Sequence, residues 1–328
     1  MQLRSIGRSK LMASTVVFGA WAIGGWKWGG TDSDESIRSI RAALDAGVNC
    51  IDTAAVYGFG LSEQLVGEAI KGYERENIIL ATKCGLRWDI ETPTLHAESE
   101  GKRIFRTLTR ESILWEIDES LKRLGTDYID LYQTHWPDPE TNAQDVLDTF
   151  DELVKSGKVR TAGFCNSAPE DLVIGSKRIA FCTDQEKYSL LDREQDSVNL
   201  PVVQEQGLSF LAYSPLAQGL LTGAVDADRQ FPESDLRAMN PRFSPLSRER
   251  VARVVHAIDT VAKEHDASVS QTVLAWTLQQ PGVSHVLAGT RNVEQAKHNA
   301  EAGRLILSQE ALNVISAAAN AFEGFESV

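Results

Sequence analysis

The chain has 328 residues, of which 42% are hydrophobic and 24% are charged, a composition typical of a globular protein. Its net charge of −13 argues against nucleic acid as a main partner, because phosphate backbones are bound by clustered lysine and arginine. No run approaches the roughly 20 apolar residues of a membrane span, and the amino terminus lacks the apolar segment of a signal peptide. We therefore predict a cytoplasmic protein with no membrane partner.

The thiol and imidazole groups are dispersed along the chain. Its four cysteines, Cys50, Cys84, Cys165 and Cys182, form no Cys-x-x-Cys pair, and its six histidines form no His-Glu-x-x-His motif. This spacing argues against a structural zinc site and against a disulfide framework. We predict no metal site and four buried or half-buried thiols.

The predicted elements repeat in a regular order along the chain. Residues 1–15 alternate around a polar turn, which predicts a β-hairpin. Strands and helices then alternate. The predicted strands occupy residues 16–22, 50–54, 78–84, 128–135, 159–165, 181–188, 208–215 and 285–290. The main predicted helices occupy residues 34–46, 62–71, 110–124, 248–264, 270–279, 293–303 and 309–321, with further helices ending near residue 156 and beginning at residue 169.

Eight strand–helix units predict a parallel sheet closed into a (β/α)8 TIM barrel, formed as a single domain over residues 1–328. Long loops after the third strand, to about Leu108, and after the seventh, to about Ser247, are expected at the carboxyl-terminal mouth of the barrel. No Gly-x-Gly-x-x-Gly motif follows the first strand, so a Rossmann cofactor site is not supported.

Four ionisable residues fall where active-site residues of such a barrel lie, at the carboxyl ends of the strands. Asp52 and Lys83 close the second and third strands, Tyr57 lies in the loop after the second, and His135 closes the fourth. An ammonium beside a phenol stabilises the phenolate and lowers the phenol pKa, and a carboxylate keeps that ammonium charged. The tyrosine can then serve as a general acid toward a carbonyl oxygen that the histidine orients.

Each of these residues also has an ordinary structural explanation. Asp52 could cap a helix, Tyr57 could be a rim aromatic, Lys83 could form a structural ion pair, and His135 could be a core histidine. Their joint placement at strand ends favours the catalytic interpretation.

Several longer motifs resemble the aldo-keto reductase family. The most specific is Asp-Thr-Ala-x-x-Tyr-Gly-x-Gly-x-Ser-Glu, within residues 49–70. Further similar stretches occupy residues 78–85, 128–139 and 159–169, followed by the segments TDQEKYSLL, FLAYSPLAQGLLTG and HVLAGTRNVEQAKHNA. They follow the family's order over nearly the whole chain, and they look most like bacterial branches that act on aldoses, glyceraldehyde or polyols.

The resemblance implies an NADP(H)-dependent oxidoreductase, with NAD(H) as the alternative, that interconverts a small carbonyl compound and its alcohol. It implies that Tyr57 is the proton donor, that Lys83 tunes it, that Asp52 holds Lys83, and that His135 orients the carbonyl. The implied cofactor-binding residues are Trp21, Asp52, Cys165, Asn166, Gln185, Tyr213, Ser214, Leu216, Gln218, Gly219, Gly289, Thr290, Arg291, Gln295 and Asn299.

Two departures from the family pattern bear on the cofactor. Cys165 stands where serine is usual, and sulfur is a weak hydrogen-bond acceptor. Gly289-Thr290 stands where many relatives have Lys-Ser at the ribose 2′-phosphate, so the NADP preference rests mainly on Arg291. The alternative for Arg291 is a solvated side chain.

Tryptophans of the mouth loops are candidates for the wall of a substrate pocket. We assign this role to Trp26, Trp28 and Trp136, with packing as the alternative, whereas Trp88 is more typical of a packing aromatic.

Two other functional classes compete with the reductase. A regulatory subunit similar to potassium-channel β-subunits is disfavoured by His135, because those proteins have asparagine there. A lyase or isomerase would need a metal cluster or a neutral lysine, and Asp52 keeps Lys83 charged.

Overall fold

A computed structural model describes residues 1–25, 27–226 and 228–325. Eight parallel strands pair side by side in chain order, and the eighth pairs with the first, so the sheet closes into a barrel. The predicted (β/α)8 barrel is therefore confirmed. Its strands are β1 (Val16–Gly19), β2 (Cys50–Asp52), β3 (Ile79–Cys84), β4 (Ile129–Thr134), β5 (Val159–Cys165), β6 (Phe181–Lys187), β7 (Ser209–Tyr213) and β8 (Val283–Gly289).

Helices surround the barrel. They are α1 (Ser33–Asp45), α2 (Leu61–Ala69), α3 (Arg110–Leu124), α4 (Ala143–Lys155), α5 (Pro169–Gly175), α6 (Asn199–Gln206), α7 (Pro245–Glu264), α8 (Val269–Leu278), α9 (Val293–Ala302) and α10 (Gln309–Asn320). Two helices differ from the prediction by more than two residues. α6 was not predicted, because its segment is short and contains Pro201, and α7 begins three residues before Arg248.

Side-chain caps explain where several helices begin. The Asp32 carboxylate accepts a hydrogen bond from the Glu35 amide at the start of α1. Ser268 and Gln271 form a reciprocal capping box at the start of α8. Such caps satisfy amides that have no partner within the helix. None of the helices in the described part of the chain is long and apolar enough to traverse a bilayer.

The predicted amino-terminal hairpin is present, and it packs against the lower core of the barrel. Its antiparallel strands, Leu3–Ser5 and Met12–Ser14, flank a turn that places Ile6 in a cluster with the inward-facing residues Val17 and Leu131. Gly7 is required in this turn: its φ is +49°, and a Cβ there would lie 2.4 Å from the Cys182 carbonyl oxygen. The hairpin therefore packs at the end of the barrel opposite the carboxyl-terminal mouth.

The predicted polar loop after β3 is instead a three-stranded antiparallel sheet, which we call the mouth sheet. It consists of Leu86–Arg87, Thr94–Ser99 and Lys102–Arg106, with the last of these in the centre. Glu100 and Gly101 form the two-residue turn between its longer strands, both with positive φ, as such hairpin turns require. The prediction was wrong because charged residues occupy the solvent face of these strands and obscure the alternation.

Candidate active site

The inner face of the barrel changes from apolar to charged toward the mouth. Along β3, Ile79, Ala81 and Lys83 share one face, because side chains alternate along a strand. The first two pack in the lower core, and Lys83 follows them at the top of the strand. The same alternation along β2 places Cys50 below and Asp52 above.

Asp52 and Lys83 form a fully buried ion pair at this level. The Lys83 Nζ donates to Asp52 Oδ1 over 2.5 Å and to the Thr53 carbonyl over 2.9 Å. The other carboxylate oxygen accepts from Gln185 Nε2 over 2.9 Å. Burial is the largest single influence and would lower the pKa of Lys83, but the charge and hydrogen bond of Asp52, together with Tyr57 and Cys165, outweigh it, and the pKa is raised. The ammonium is therefore permanently charged at neutral pH.

Tyr57 lies over this pair, in a tight turn after β2. Its ring centroid is 5.4 Å from the Lys83 Nζ and 6.2 Å from the Trp21 ring, to which it is nearly parallel. The His135 ring meets it edge-on, at 5.5 Å between centroids. The structure thus brings together all four residues of the predicted tetrad.

The pKa of Tyr57 differs from the sequence-based expectation. Burial raises it to about 12, and the nearby Lys83 charge opposes that rise without reversing it. The prediction of a net lowering is wrong, because the same burial that places the phenol beside the ammonium also disfavours the phenolate. The phenol is consequently protonated at neutral pH and able to donate.

His135 is a neutral hydrogen-bonding group. Burial, followed by the charge of Lys83, lowers its pKa well below the ordinary value, so the ring carries one N–H at neutral pH. Its backbone is fixed on both sides: the amide donates to the Cys84 carbonyl, and the carbonyl accepts from Asn166 Nδ2, each over 2.9 Å. The residue therefore has a defined position beside the Tyr57 ring.

A cleft of about 690 Å³ extends from the tetrad across the barrel mouth. Tyr57, Asp52 and His135 line it, whereas Lys83 is buried beneath them. The predicted cofactor-binding residues that line it are Trp21, Asp52, Cys165, Asn166, Gln185, Tyr213, Ser214, Leu216, Gln218, Gly219, Gly289, Arg291, Gln295 and Asn299.

Some predicted residues lie elsewhere. Thr290 is not in the described lining of the cleft, because its side chain is buried and its hydroxyl faces the Ala288 carbonyl. Among the tryptophans, Trp28 and Trp136 line the cleft and Trp88 packs on Phe59. Trp26 lies outside the described residues.

Asn166, Tyr213 and Cys165 are fixed at the inner end of the cleft. The Tyr213 hydroxyl donates to Asn166 Oδ1 over 2.8 Å, and Asn166 itself has a φ of +54°, rare for a non-glycine residue. The Cys165 sulfur accepts from Gln133 Nε2 over 2.8 Å, so this thiol has a protein partner of its own.

The segment after β7 has an unusual backbone. Ser214, Ala217 and Gln218 have φ values between +48° and +56°, and Gly219 has a φ of +103°. Strained conformations of this kind persist where the surrounding structure holds them, and they cluster at ligand sites. This segment lines the cleft between the tetrad and α9.

Comparisons with known proteins agree with this geometry. A family model described as the Aldo/keto reductase family matches residues 15–320. The chain belongs to the aldo/keto reductase family. The resemblance inferred from its motifs is thereby confirmed, and the family assigns it to the oxidoreductases.

Three similar proteins illustrate the relationship. Aldo-keto reductase YhdN of Bacillus subtilis is 38% identical over 312 residues, which cover 94% of this chain and 91% of that protein. The NADH-specific methylglyoxal reductase of Escherichia coli is 34% identical over 327 residues, covering 97% and 98%. The structure of glycerol dehydrogenase AKR11B4 from Gluconobacter oxydans matches with a TM-score of 0.88 at 33% identity, covering 100% of this chain and 98% of that one.

Among the described lining residues, sequence reasoning missed five charged or titratable side chains of this reductase cleft. They are Lys27, His96, Lys187, Arg237 and His298. His96 belongs to the mouth sheet, and the Glu100-Gly101 turn was the signal that could have located it. Lys27, Lys187 and Arg237 come from loops or a strand end, where no sequence pattern indicates which way a side chain points. His298 lies in α9, one residue before the predicted Asn299, and that neighbouring position was the signal that could have located it.

The charge of the cleft contrasts with that of the whole protein. Among the described residues that line it, Asp52 is the one acidic side chain, and it is neutralised by Lys83. Four lysine and arginine side chains line the same cleft, although the protein has a net charge of −13, and two of them, Lys187 and Arg237, form ion pairs with Asp192 and Asp235 outside the lining. A cleft of this composition favours anionic ligands. No group of three or more potential metal ligands occurs in the described part of the chain.

A buried pair of carboxyl groups, Asp184 and Glu186, lies behind the cleft. Asn199 Nδ2 donates to both of them, and the Ser167 amide donates to Glu186 over 2.8 Å. Burial raises the pKa of both groups, and the negative charge of Asp184 raises that of Glu186 further. Because both pKa values are higher in the folded than in the unfolded chain, folding stability falls as pH rises through the folded-state values.

We expect Asp184→Asn to weaken this pH dependence, because an amide replaces one of the two competing carboxylates. Between about pH 6 and about pH 9, the variant should lose roughly 2 kcal/mol less unfolding free energy than the wild type. Urea unfolding at both pH values measures the difference, with the exposed Asp148→Asn as the control. Equal losses in wild type and Asp184→Asn would contradict the expectation.

Proposed function

We propose that this aldo-keto reductase catalyses the NADP(H)-dependent interconversion of a small aldehyde or ketone, of sugar, glyceraldehyde or polyol type, and its alcohol. Tyr57 is the general acid in reduction and the general base in oxidation. The observation that carries the proposal is the buried Lys83–Asp52 pair beneath the Tyr57 ring, with the neutral His135 ring at its edge.

The proton chemistry follows from the surroundings of the phenol. Because its pKa is about 12, the Tyr57 phenol is protonated at neutral pH. It can donate this proton to a carbonyl oxygen as negative charge develops there. The Lys83 ammonium stabilises the phenolate left behind, and Asp52 holds that ammonium in place. The single N–H of His135 can donate to the same oxygen and orient it. The bound nicotinamide supplies or accepts the hydride.

The lining of the cleft fits a dinucleotide. The side chains of Asn166 and Gln185 offer amide groups at the inner end, and Tyr213 offers a ring beside them. The strained segment at residues 214–219 and the start of α9 follow along the same cleft. Helix amino termini and arginine side chains favour phosphate groups, so the outer end suits the adenosine phosphates.

The preference between the two nicotinamide cofactors depends on Arg291 in this proposal. Arg291 is exposed and lines the outer end of the cleft. Its backbone amide donates a hydrogen bond to Gln295 Oε1 over 3.0 Å. One relative is described as NADH-specific, so family membership alone does not select NADP(H).

We expect Arg291→Ala to raise the dissociation constant of NADPH at least about tenfold and that of NADH less than about twofold. The difference arises because only NADPH carries a 2′-phosphate for a charge-assisted hydrogen bond. Titration of both cofactors by fluorescence measures it, with the exposed Arg253→Ala as a matched control. An equal effect on both cofactors would remove Arg291 from the 2′-phosphate site.

Small substrates are favoured by the aromatic walls around Tyr57. The indole rings of Trp21 and Trp28 meet edge to face at 5.3 Å, and Trp136 follows His135 on the other side. Two of the similar proteins are described as a methylglyoxal reductase and a glycerol dehydrogenase, which supports three-carbon carbonyls and polyols.

The deciding experiment follows the absorbance of the reduced nicotinamide with NADPH and NADH against methylglyoxal, glyceraldehyde, aldoses and simple ketones. The reverse direction uses glycerol and other polyols with NADP⁺ and NAD⁺. Carbonyl-dependent oxidation of NADPH supports the proposal, whereas cofactor binding without any turnover would favour a regulatory binding protein.

A further inference from the structure

The substrate end of the cleft contains a histidine that the mouth sheet directs into it. The register of the two longer strands pairs Leu95 with Phe105 and Ala97 with Ile104, so His96 is the extra residue of a β-bulge. Bulges re-aim a side chain and occur next to active sites. His96 lines the cleft and packs on the Trp136 ring, 5.4 Å between centroids, one residue from His135.

The proton of His96 has a defined position. Arg106 Nε donates to His96 Nδ1 over 3.1 Å, and a guanidinium is always protonated, so Nδ1 accepts and the ring proton lies on Nε2. Burial, Arg106 and Lys27 lower the pKa of His96 to about 4, which keeps the ring neutral. His96 therefore presents a fixed N–H donor at neutral pH.

Two cationic side chains, Arg106 and Lys27, act on the His96 donor. The described polar contacts of the Arg106 guanidinium are with His96 and the Pro137 carbonyl, and neither is a carboxylate. Its guanidinium also lies 5.2 Å from the Trp136 ring centroid, so the side chain is held in place. Lys27 lines the same cleft, and its charge contributes to the lowered pKa of His96.

The backbone around Lys27 is held by a contact with a second loop. Lys27 has a φ of +63°, a conformation that non-glycine residues rarely adopt, and its carbonyl accepts from the Leu236 amide over 3.0 Å. Its charge interacts with that of Glu100, which is exposed at the tip of the mouth sheet. The side chain is half-buried and remains part of the cleft wall.

We infer that the substrate carries an anionic oxygen group in addition to its carbonyl, and that Lys27 and His96 bind this group. The inference rests on the proposed reductase function and adds a substrate class to it: small aldehydes or ketones that carry a carboxylate or a phosphate. Lys27 and His96 both line the cleft and both present N–H donors, and an oxyanion is the substituent that can accept from both.

Matched pairs of substrates test the inference. Succinic semialdehyde is compared with butanal for a carboxylate, and glyceraldehyde 3-phosphate with glyceraldehyde for a phosphate. The wild type should show a kcat/KM at least about tenfold higher for the anionic member of one pair, the gain typical of a charge-assisted contact. The pair that shows the gain identifies which anion the cleft accepts.

Variants of Lys27 and His96 test whether these residues cause the higher kcat/KM for the anionic substrate. Lys27→Gln should reduce the anionic-to-neutral ratio of kcat/KM about tenfold, and His96→Phe, which keeps a ring beside Trp136, should reduce it about fivefold. Lys102→Gln is the matched control, because this exposed lysine of the mouth sheet lies over the Phe59 ring and outside the described cleft lining. A wild type that prefers the neutral members, or a Lys27→Gln variant with an unchanged ratio, overturns the inference.

A binding measurement separates this inference from the proposed function. Calorimetric titration with succinate and with inorganic phosphate, in the presence and absence of NADP⁺, requires no turnover. Binding that Lys27→Gln weakens at least about tenfold supports the anion site even if no carbonyl is reduced, in which case the proposed function alone fails. Absence of binding, or binding that Lys27→Gln leaves unchanged, counts against the anion site whether or not neutral carbonyls are reduced.

Discussion

Replacing Tyr57 by phenylalanine should reduce kcat for carbonyl reduction by about 10³-fold, while the dissociation constant of the cofactor changes less than about twofold. The loss corresponds to removal of a general acid, whose contribution is typically about 10²–10⁴-fold. The phenylalanine ring can keep the stacking on Trp21 and the edge contact with His135, so the cleft should retain its shape. Steady-state kinetics and cofactor titration measure the two effects separately.

Tyr73→Phe is the matched control for this experiment. The Tyr73 hydroxyl donates to Asp45 Oδ1 over 2.9 Å at the outer surface, far from the cleft lining. Its loss should leave kcat within about twofold, as surface substitutions usually have small effects. If Tyr57→Phe keeps more than about a tenth of the wild-type kcat, the phenol is not the proton donor.

The tetrad could be predicted from the sequence because short apolar runs indicate where the strands end. Asp52 and Lys83 close short apolar runs, and the carboxyl ends of neighbouring parallel strands must lie side by side in a closed barrel. The chemistry of a general acid therefore followed from residue type and strand position, before any distance was known. The observed 2.5 Å between the carboxylate and the ammonium agrees with that reasoning.

The substrate end of the cleft was beyond the reach of the same reasoning. His96 faces the cleft because a bulge shifts the register of the mouth sheet, and a one-residue shift changes the face of a strand. Lys27 and Arg237 are placed by a contact between distant loops, in which Trp28 forms an isolated bridge with Asp235. Neither a bulge nor a loop contact follows from hydrophobic periodicity.

The direction of the Tyr57 pKa shift could not be predicted either, because burial raises this pKa and the Lys83 charge lowers it. The Lys83 charge was foreseeable from the sequence, whereas the degree of burial required the packed structure. The structure makes burial the larger effect, so Lys83 moderates a raised pKa.

That balance predicts a large effect for Lys83→Met. Without the ammonium, the Lys83 charge no longer offsets the cost of burying the phenolate. The apparent pKa in the pH profile of alcohol oxidation should therefore rise by at least about one unit. The kcat should fall at least about 10²-fold. The Asp52 carboxylate would also remain buried with Gln185 as its side-chain donor. Breaking a buried ion pair in this way typically destabilises a protein by about 3–5 kcal/mol. Urea unfolding and a pH profile of alcohol oxidation test both consequences.

The double variant Asp52→Asn, Lys83→Met separates the catalytic from the structural role of the lysine. Removing both charges leaves no unpaired ion at this position, so at least about 2 kcal/mol of the lost stability should return relative to Lys83→Met alone. Activity should stay at the level of the single variant, because the phenolate still has no cationic neighbour. Recovery of kcat together with stability would show that Lys83 acts by holding the fold, and its assigned effect on Tyr57 would have to be abandoned.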